Sequence, residues 1–272
     1  MMDLQRVNEY MKKIEASQQT TFMPSTEKLK VGLDLGTAYI VLVVLDEQNM
    51  PVACEKQAAS VLKDGVVVDY AGALHIVKKL KEKLEVRLDR ELMYCAIAMP
   101  SGTESSVKTH TYVAEGAGFE VVNVLDEPTA ANAIYQIQNG VVVDIGGGTT
   151  GLAVLKDGKV TETYDEATGG THLTLVLAGN YKIPIEEAEK LKQDYGKHSE
   201  ILPVVKAVIE KMATIVKTHV KREEISEIYL CGGTCCLMGI EKIFENETGI
   251  KTIKPDNPFL VTPAGIAMNC IY

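Results

Sequence analysis

The sequence predicts an α/β protein built from two tandem halves, and three observations carry that reading. Short apolar runs alternate with amphipathic helical stretches, the order of elements in residues 30–139 returns in residues 140–261, and each copy opens with an Asp-bearing glycine turn between two strands. Strands alternating with helices argue for a mixed, mainly parallel sheet covered on both faces. A chain of 272 residues, 46% of them hydrophobic, has enough apolar material for such a doubled core.

Residues 1–29 stand apart from this pattern. Leu4, Val7, Met11 and Ile14 fall at helical spacing among charged residues, and ASQQTTFMPSTEK then reads as a linker. The helix either packs on its own domain or docks on a partner protein as an address, and the sequence leaves both open. From Val31, VGLDLGTAYIVLVVLDEQNMPVACEKQ reads strand, tight turn, strand, turn, strand, with Asn49–Pro51 closing the hairpin. From Val141, VVVDIGGGTTGLAVLKDGKVTETYDEA repeats it, with Asp157-Gly158 as a strong hairpin signal. Asp34 and Asp144 occupy equivalent places in the two copies.

The copies continue in parallel. The first has a helix around 70–89 (Leu74, Val77, Leu80, Leu84) and the buried strand MYCAIAMP; the second has a helix around 203–221 (Val204, Val208, Met212, Ile215) and the strand EIYLCGGT. A short helix follows in each, then a strand (GFEVVNVLDEP or GIKTIKPDNP) and a last helix of small residues (TAANAIY or PAGIAMN). Each half therefore reads β-β-β-α-β-α-β-α, with an additional helix in the second, and the helix at 262–272 is expected to join the first half. The two halves are expected to face each other across a cleft lined by both glycine turns.

Composition excludes several classes. The formal net charge of −9 argues against nucleic acid or an anionic membrane as partner. No apolar run is long enough to span a bilayer and MMDLQRVNEY is no signal peptide, so the expected setting is a reducing cytoplasm. Cys231, Cys235 and Cys236 cluster, but without a second CxxC or a neighbouring His they do not read as a metal site. No Walker loop (GxxxxGKS/T) occurs, and the glycine turns open strands rather than the helix of a dinucleotide-binding fold. The five histidines are scattered, and no arrangement for covalent nucleophilic catalysis stands out.

A hairpin tip of small residues points several N–H groups one way, a nest that suits phosphate. Gly36, Gly146, Gly147 and Gly148 let an anion approach the main chain, while Thr37, Thr149 and Thr150 offer hydroxyl donors. Asp34 and Asp144 would repel bare phosphate, but suit a Mg²⁺ ion held through its water shell. Two such turns suit a nucleotide polyphosphate and one metal ion. Glu127, in LDEPTAANA, either orients an attacking water or simply favours a helix dipole. Gly232 and Gly233, in LCGGTCC, offer bare backbone to a base or ribose, and Glu189 and Lys192 share one helix face at i,i+3, either reaching a ribose hydroxyl or forming a solvated charged surface.

The segments DLGT (34–37), DEPTAA (126–131), DIGGGTTG (144–151), CGGT (231–234) and PAGIA (263–267) resemble, in order, the phosphate-1, connect-1, phosphate-2, adenosine and connect-2 motifs of the actin, Hsp70 and sugar-kinase ATPase superfamily. More narrowly, KDGVVVDYAGA, TGGTHLTLVLAGNY, EEAEKLK and VTPAGIA resemble Hsp70-like proteins of ethanolamine utilisation. The resemblance covers about residues 30–270 and implies two RNase-H-like halves, ATP or ADP with Mg²⁺ held through water by Asp34 and Asp144, and catalytic roles for Asp34, Glu127, Asp144 and Thr149. It implies a ribose contact by Glu189 and Lys192, nucleoside contact by Gly232 and Gly233, and a protein client such as ethanolamine ammonia-lyase or a microcompartment component. Where the sequence departs from Hsp70, both outer subdomains are reduced, no counterpart of the catalytic lysine is found, and PAGIA lies too near the end for a peptide-binding domain. Weak Mg²⁺-dependent ATPase activity is the expectation; a small-molecule kinase and an actin-like filament protein are the alternatives on the same fold.

Overall fold

The computed structural model describes residues 3–100, 104–220 and 225–272. Two β-meanders frame it, each made by a sharp turn that its local sequence allows. Asn49 (φ 62°) turns the first, and Asp157 and Gly158 (φ 51° and 73°) turn the second with the paired positive φ values that match the twist of a two-residue hairpin. The chain divides into two units, Met1–Gln136 with Leu260–Tyr272, and Ile137–Phe259.

The first unit opens with helix α1 (Leu4–Ala16), capped by Asp3, whose carboxylate accepts from the Arg6 N–H. Strands β1 (Leu29–Leu35), β2 (Tyr39–Asp46) and β3 (Pro51–Ala58) form the meander, and a small hairpin, β4 (Leu62–Lys63) and β5 (Val66–Val67), follows. Then come helix α2 (Tyr70–Leu88), strand β6 (Tyr94–Met99), helix α3 (Glu104–Gly116), strand β7 (Glu120–Asp126) and helix α4 (Glu127–Tyr135). The sheet order is β3-β2-β1-β6-β7, antiparallel within the meander and parallel from β1 to β7.

Helix α1 buries Val7, Met11 and Ile14 against this unit. Tyr10 Oη donates to Asn49 O at 2.6 Å and Arg6 Nη2 to Ile134 O at 2.8 Å. The segment after it runs along edge strand β3, with Cys54 N–H bonded to Ser17 O (3.1 Å) and Phe22 N–H to Val52 O (2.9 Å). Arg87 binds this segment from α2, donating to Ser17 O at 2.8 Å, Thr21 Oγ1 at 3.2 Å, Cys54 O at 3.1 Å and Glu55 Oε1 at 2.8 Å. Of the two possibilities for this helix, the described state is the packed one, and the expected linker is in part an edge cover.

The second unit repeats the meander in β8 (Gly140–Ile145), β9 (Thr150–Lys156) and β10 (Lys159–Glu166). Helices α5 (Gly170–Tyr181), α6 (Ile185–Gln193) and α7 (His198–His219) precede strand β11 (Glu227–Cys231), helix α8 (Ile240–Thr248) and strand β12 (Lys251–Ile253). Its sheet order, β10-β9-β8-β11-β12, is that of the first unit. Val141, Val143 and Ile145 of β8 pack with Leu173 and Leu177 of α5, Ile209 and Met212 of α7 and Phe244 of α8 in one core. Helix α9 (Val261–Met268) then returns to the first unit, where Gly32 lies so near it that an added Cβ would sit 2.6 Å from Pro263 O.

Two details differ from expectation. Each sheet holds as many antiparallel as parallel pairings, because the meander contributes half of them. Two helices, α5 and α6, rather than one, precede the long helix of the second unit; that helix begins earlier, at His198, and its expected end at 221 lies outside the described residues. Among the described residues no helix is long and apolar enough to cross a membrane.

Candidate functional site

In the second unit the residues singled out by sequence converge on the end of β8. Asp144 is buried, and a Cβ at Gly232 would collide with its Oδ1 and would lie 2.5 Å from Ile145 O. Gly232 also has φ +90°, so both its conformation and its neighbour require glycine. The turn after β8 is tightened by a Gly146 N–H bond to Thr149 O at 3.0 Å. It lies on the start of α5: an added Cβ at Gly169 would meet Gly148 C at 2.6 Å and Thr149 N at 2.7 Å. Gly170 N–H and Thr171 N–H bond to Gly146 O (2.9 Å) and Gly147 O (2.8 Å), and Thr234 Oγ1 donates to Gly146 O at 2.7 Å. The three-glycine turn is thus carried between the start of α5 and the Gly232–Thr234 corner.

The hydroxyls around it are largely committed. Thr150 is fully buried and donates to Thr168 O at 2.5 Å, so it braces the strand beneath the turn. Thr171 Oγ1 donates to Gly147 O at 2.8 Å. Thr149 donates its hydroxyl to the carboxylate of Asp165 on β10. Burial pushes that carboxyl up to about 7, against the Thr149 hydrogen bond and assisted by the nearby charges of Asp144 and Glu166.

Glu189 and Lys192 form a cross-brace rather than a solvated face. Lys192 Nζ donates to Glu189 Oε2 (2.7 Å), Thr174 Oγ1 (2.8 Å) and Gly170 O (3.1 Å), which occupies all three ammonium donors. Thr174 Oγ1 also bonds to Glu189 Oε2 at 2.5 Å, and Gln193 Nε2 to Glu189 Oε1 at 2.9 Å. Burial alone would raise the Glu189 carboxyl, but the Lys192 charge and these hydrogen bonds outweigh it and hold the group below its usual range. Gly233 is exposed at the same corner, where an added Cβ would meet Phe259 Cδ2 at 3.2 Å. His172 caps α5, its Nδ1 accepting from Gly169 N–H at 3.3 Å.

In the first unit, Asp34 is the penultimate residue of β1, half-buried, opposite Val41 of β2. Gly36 turns the chain so tightly that a Cβ would stand 2.8 Å from Tyr39 O. The tip of the β4–β5 hairpin leans on this turn, with Gly65 N–H 3.5 Å from Thr37 Oγ1 and Gly65 O 3.1 Å from His110 Nε2. Glu127 starts α4 beside its cap, Asp126, which accepts from Thr129 N–H at 2.8 Å. It sits at the end of β7, two strands from β1. Among the described residues no group of three His, Cys, Asp or Glu side chains is placed to hold a metal ion directly. Sequence reading passed over Asp165, Thr234 and the Gly169–Thr171 start of α5; only TGGT before an apolar stretch marked the last of these.

Comparison with known proteins agrees with this architecture. A family model described as type IV pilus assembly protein PilM matches residues 107–263. MreB5 of Spiroplasma citri, crystallised with ADP, has the same fold, with a TM-score of 0.70 at 20% identity over 88% of this chain and 95% of that one. The fold is the actin/Hsp70-type ATPase fold. The crystal structure of ethanolamine utilization protein EutJ from Carboxydothermus hydrogenoformans matches with a TM-score of 0.90 at 47% identity, over 98% of this chain and 99% of that one. The EutJ protein of Escherichia coli (strain K12) is 43% identical over 240 residues, 88% of this chain and 85% of that protein. The chain belongs to the ethanolamine utilization protein EutJ family.

Proposed function

We propose that the protein binds ATP or ADP with Mg²⁺ and uses the bound state to change the surface it offers a protein partner of ethanolamine utilisation. In this reading it acts as an Hsp70-like chaperone or accessory protein toward ethanolamine ammonia-lyase or a microcompartment component. One observation carries the nucleotide part: at the end of β8 a three-glycine turn, the side-chain-free Gly232 and the buried Asp144 converge, with glycine at Gly169 and Gly232 where a Cβ has no room. Backbone amides beside an acid suit a polyphosphate carrying a hydrated divalent cation.

In this proposal Asp34 and Asp144 orient the metal's waters, and the metal supplies neutralisation of phosphate charge. Main-chain amides of Gly36, Gly147 and Gly148, with Thr37, receive the phosphates, and Gly146, its own amide held by Thr149 O, lets them approach the turn. Glu127 orients a water for hydrolysis, Gly232 and Gly233 lie against the nucleoside, and Glu189 reaches the ribose while Lys192 holds it in place. Catalysis would rest on positioning and charge rather than a covalent nucleophile. Calorimetry tests the proposal: ATP with Mg²⁺ should bind the natural protein and fail to bind Asp144→Ala, with circular dichroism showing the fold retained. Equal affinity in the two proteins would overturn it. The partner part is tested by co-purification with ethanolamine ammonia-lyase, which should change between ATP with Mg²⁺ and no nucleotide.

A further inference from the structure

Three strands of the second unit place two acids on either side of a glycine. Asp144 of β8 pairs with Gly151 of β9, and Gly151 pairs in turn with Asp165 of β10. Directly opposed residues in an antiparallel ladder share a face of the sheet, so both carboxylates stand on one face with only Gly151 between them. That face is not the helix-covered one, since the flanking residues Val143, Ile145, Leu152 and Tyr164 pack into the helical core. Asp165 accepts the Thr149 hydroxyl through one oxygen, while its Oδ1 is buried with no donor among the described residues.

A hydroxyl has one proton to give and two lone pairs. With its proton given to Asp165, Thr149 can only accept from whatever approaches the turn. A bare phosphate oxygen is itself an acceptor, whereas a metal-bound water is a donor. An orphaned carboxylate oxygen close by has the same preference, because a buried acceptor without a donor is costly.

We infer that Asp165 is a specificity-determining residue that acts through Thr149, making the second glycine turn select metal-hydrated nucleotide over metal-free nucleotide. This inference rests on the nucleotide reading above. Above the pH at which Asp165 ionises, removing its charge weakens its hold on the Thr149 proton and lets that proton turn toward phosphate oxygen, which improves the binding of metal-free nucleotide without adding any contact to the metal.

The test is calorimetry, at about pH 8.5 where Asp165 is ionised, of ATP in excess Mg²⁺ and ATP in EDTA. It uses the natural protein, Asp165→Asn, Asp165→Glu, Thr149→Val and the double variant Asp165→Asn/Thr149→Val. The ratio of the two affinities should fall about tenfold in Asp165→Asn, the worth of one hydrogen bond to a charged group. It should recover at least in part in Asp165→Glu, and Asp165→Asn should have no further effect on the ratio once Thr149 is Val. A purely structural role would lower both affinities together and leave the ratio unchanged, and that result overturns the inference. A full effect of Asp165→Asn in the Thr149→Val background overturns the route through Thr149. If the natural protein binds no nucleotide under either condition, the nucleotide reading and this inference fall together; if it binds and the ratio is insensitive to Asp165, only the inference falls.

Discussion

Asp165→Asn should make the unliganded protein more stable at neutral and alkaline pH. In the folded chain, burial raises this carboxyl from the usual 3.8 to about 7, with the neighbouring Asp144 charge adding to the effect. Between those two values the folded state holds a proton that the unfolded chain has released. Stability is therefore fully present below about pH 4 and is lost as the pH rises through 7. At about 1.4 kcal/mol per tenfold, the separation between the two values amounts to about 4 kcal/mol by pH 8. Solvent reaching the partly exposed side chain reduces this to about 2 kcal/mol. Asparagine has nearly the same shape and cannot ionise. Urea unfolding followed by circular dichroism from pH 4.5 to 8 should show Asp165→Asn gaining over the natural protein by about 2–4 kcal/mol at pH 8, with the gain shrinking steadily toward pH 4. A gain that is the same at every pH, or no gain at pH 8, refutes the reasoning, since neither can come from the cost of ionising this group.

Other substitutions test the scaffold around the site. Gly232→Ala places a methyl group against Asp144 in a φ +90° conformation; it should cost about 1–3 kcal/mol in thermal unfolding and weaken nucleotide affinity in parallel. Arg87→Ala strips donors from Ser17 O and Cys54 O, at about 2 kcal/mol of local stability, and should speed both amide exchange in α1 and proteolysis near the highly exposed Met23. Ile14→Ala opens a cavity under α1 and should cost about 2–5 kcal/mol, read by urea titration, with nucleotide affinity retained because the change lies outside the glycine turns.

What the sequence disclosed, and what it hid, follows from the range of the forces involved. Both meanders were readable because Asn49 and the Asp157-Gly158 pair act on their own backbone, and the doubling aligned Asp34 with Asp144 without any knowledge of contacts. Helix α7 was readable because its apolar residues recur with helical period. Helix α5 gave no such stripe: Leu173 and Leu177 face the core while Leu175 and Val176 lie in solvent, so its apolar residues run all the way round. The β4–β5 hairpin has only two residues in each strand, too few for any alternation to register. Asp165 was hidden for a different reason. In TETYDEA it looks like any polar residue of an edge strand, and its importance comes from a register spanning three strands and from the hydroxyl of Thr149, sixteen positions earlier. The place of Lys192 stayed open between a ribose contact and a solvated face for the same reason, since Gly170 and Thr174 become its partners only once α6 folds back on α5.

The return of α9 to the first unit gives protein synthesis an awkward order of events. Gly32 is made among the first residues, yet the helix it packs against leaves the ribosome only after the whole of the second unit. The early-made sheet must wait, with one wall missing, while the later-made unit has its entire sequence to hand and is free to fold first. A released chain truncated after residue 259 should therefore carry a protease-resistant second unit and a first unit that is still readily cleaved.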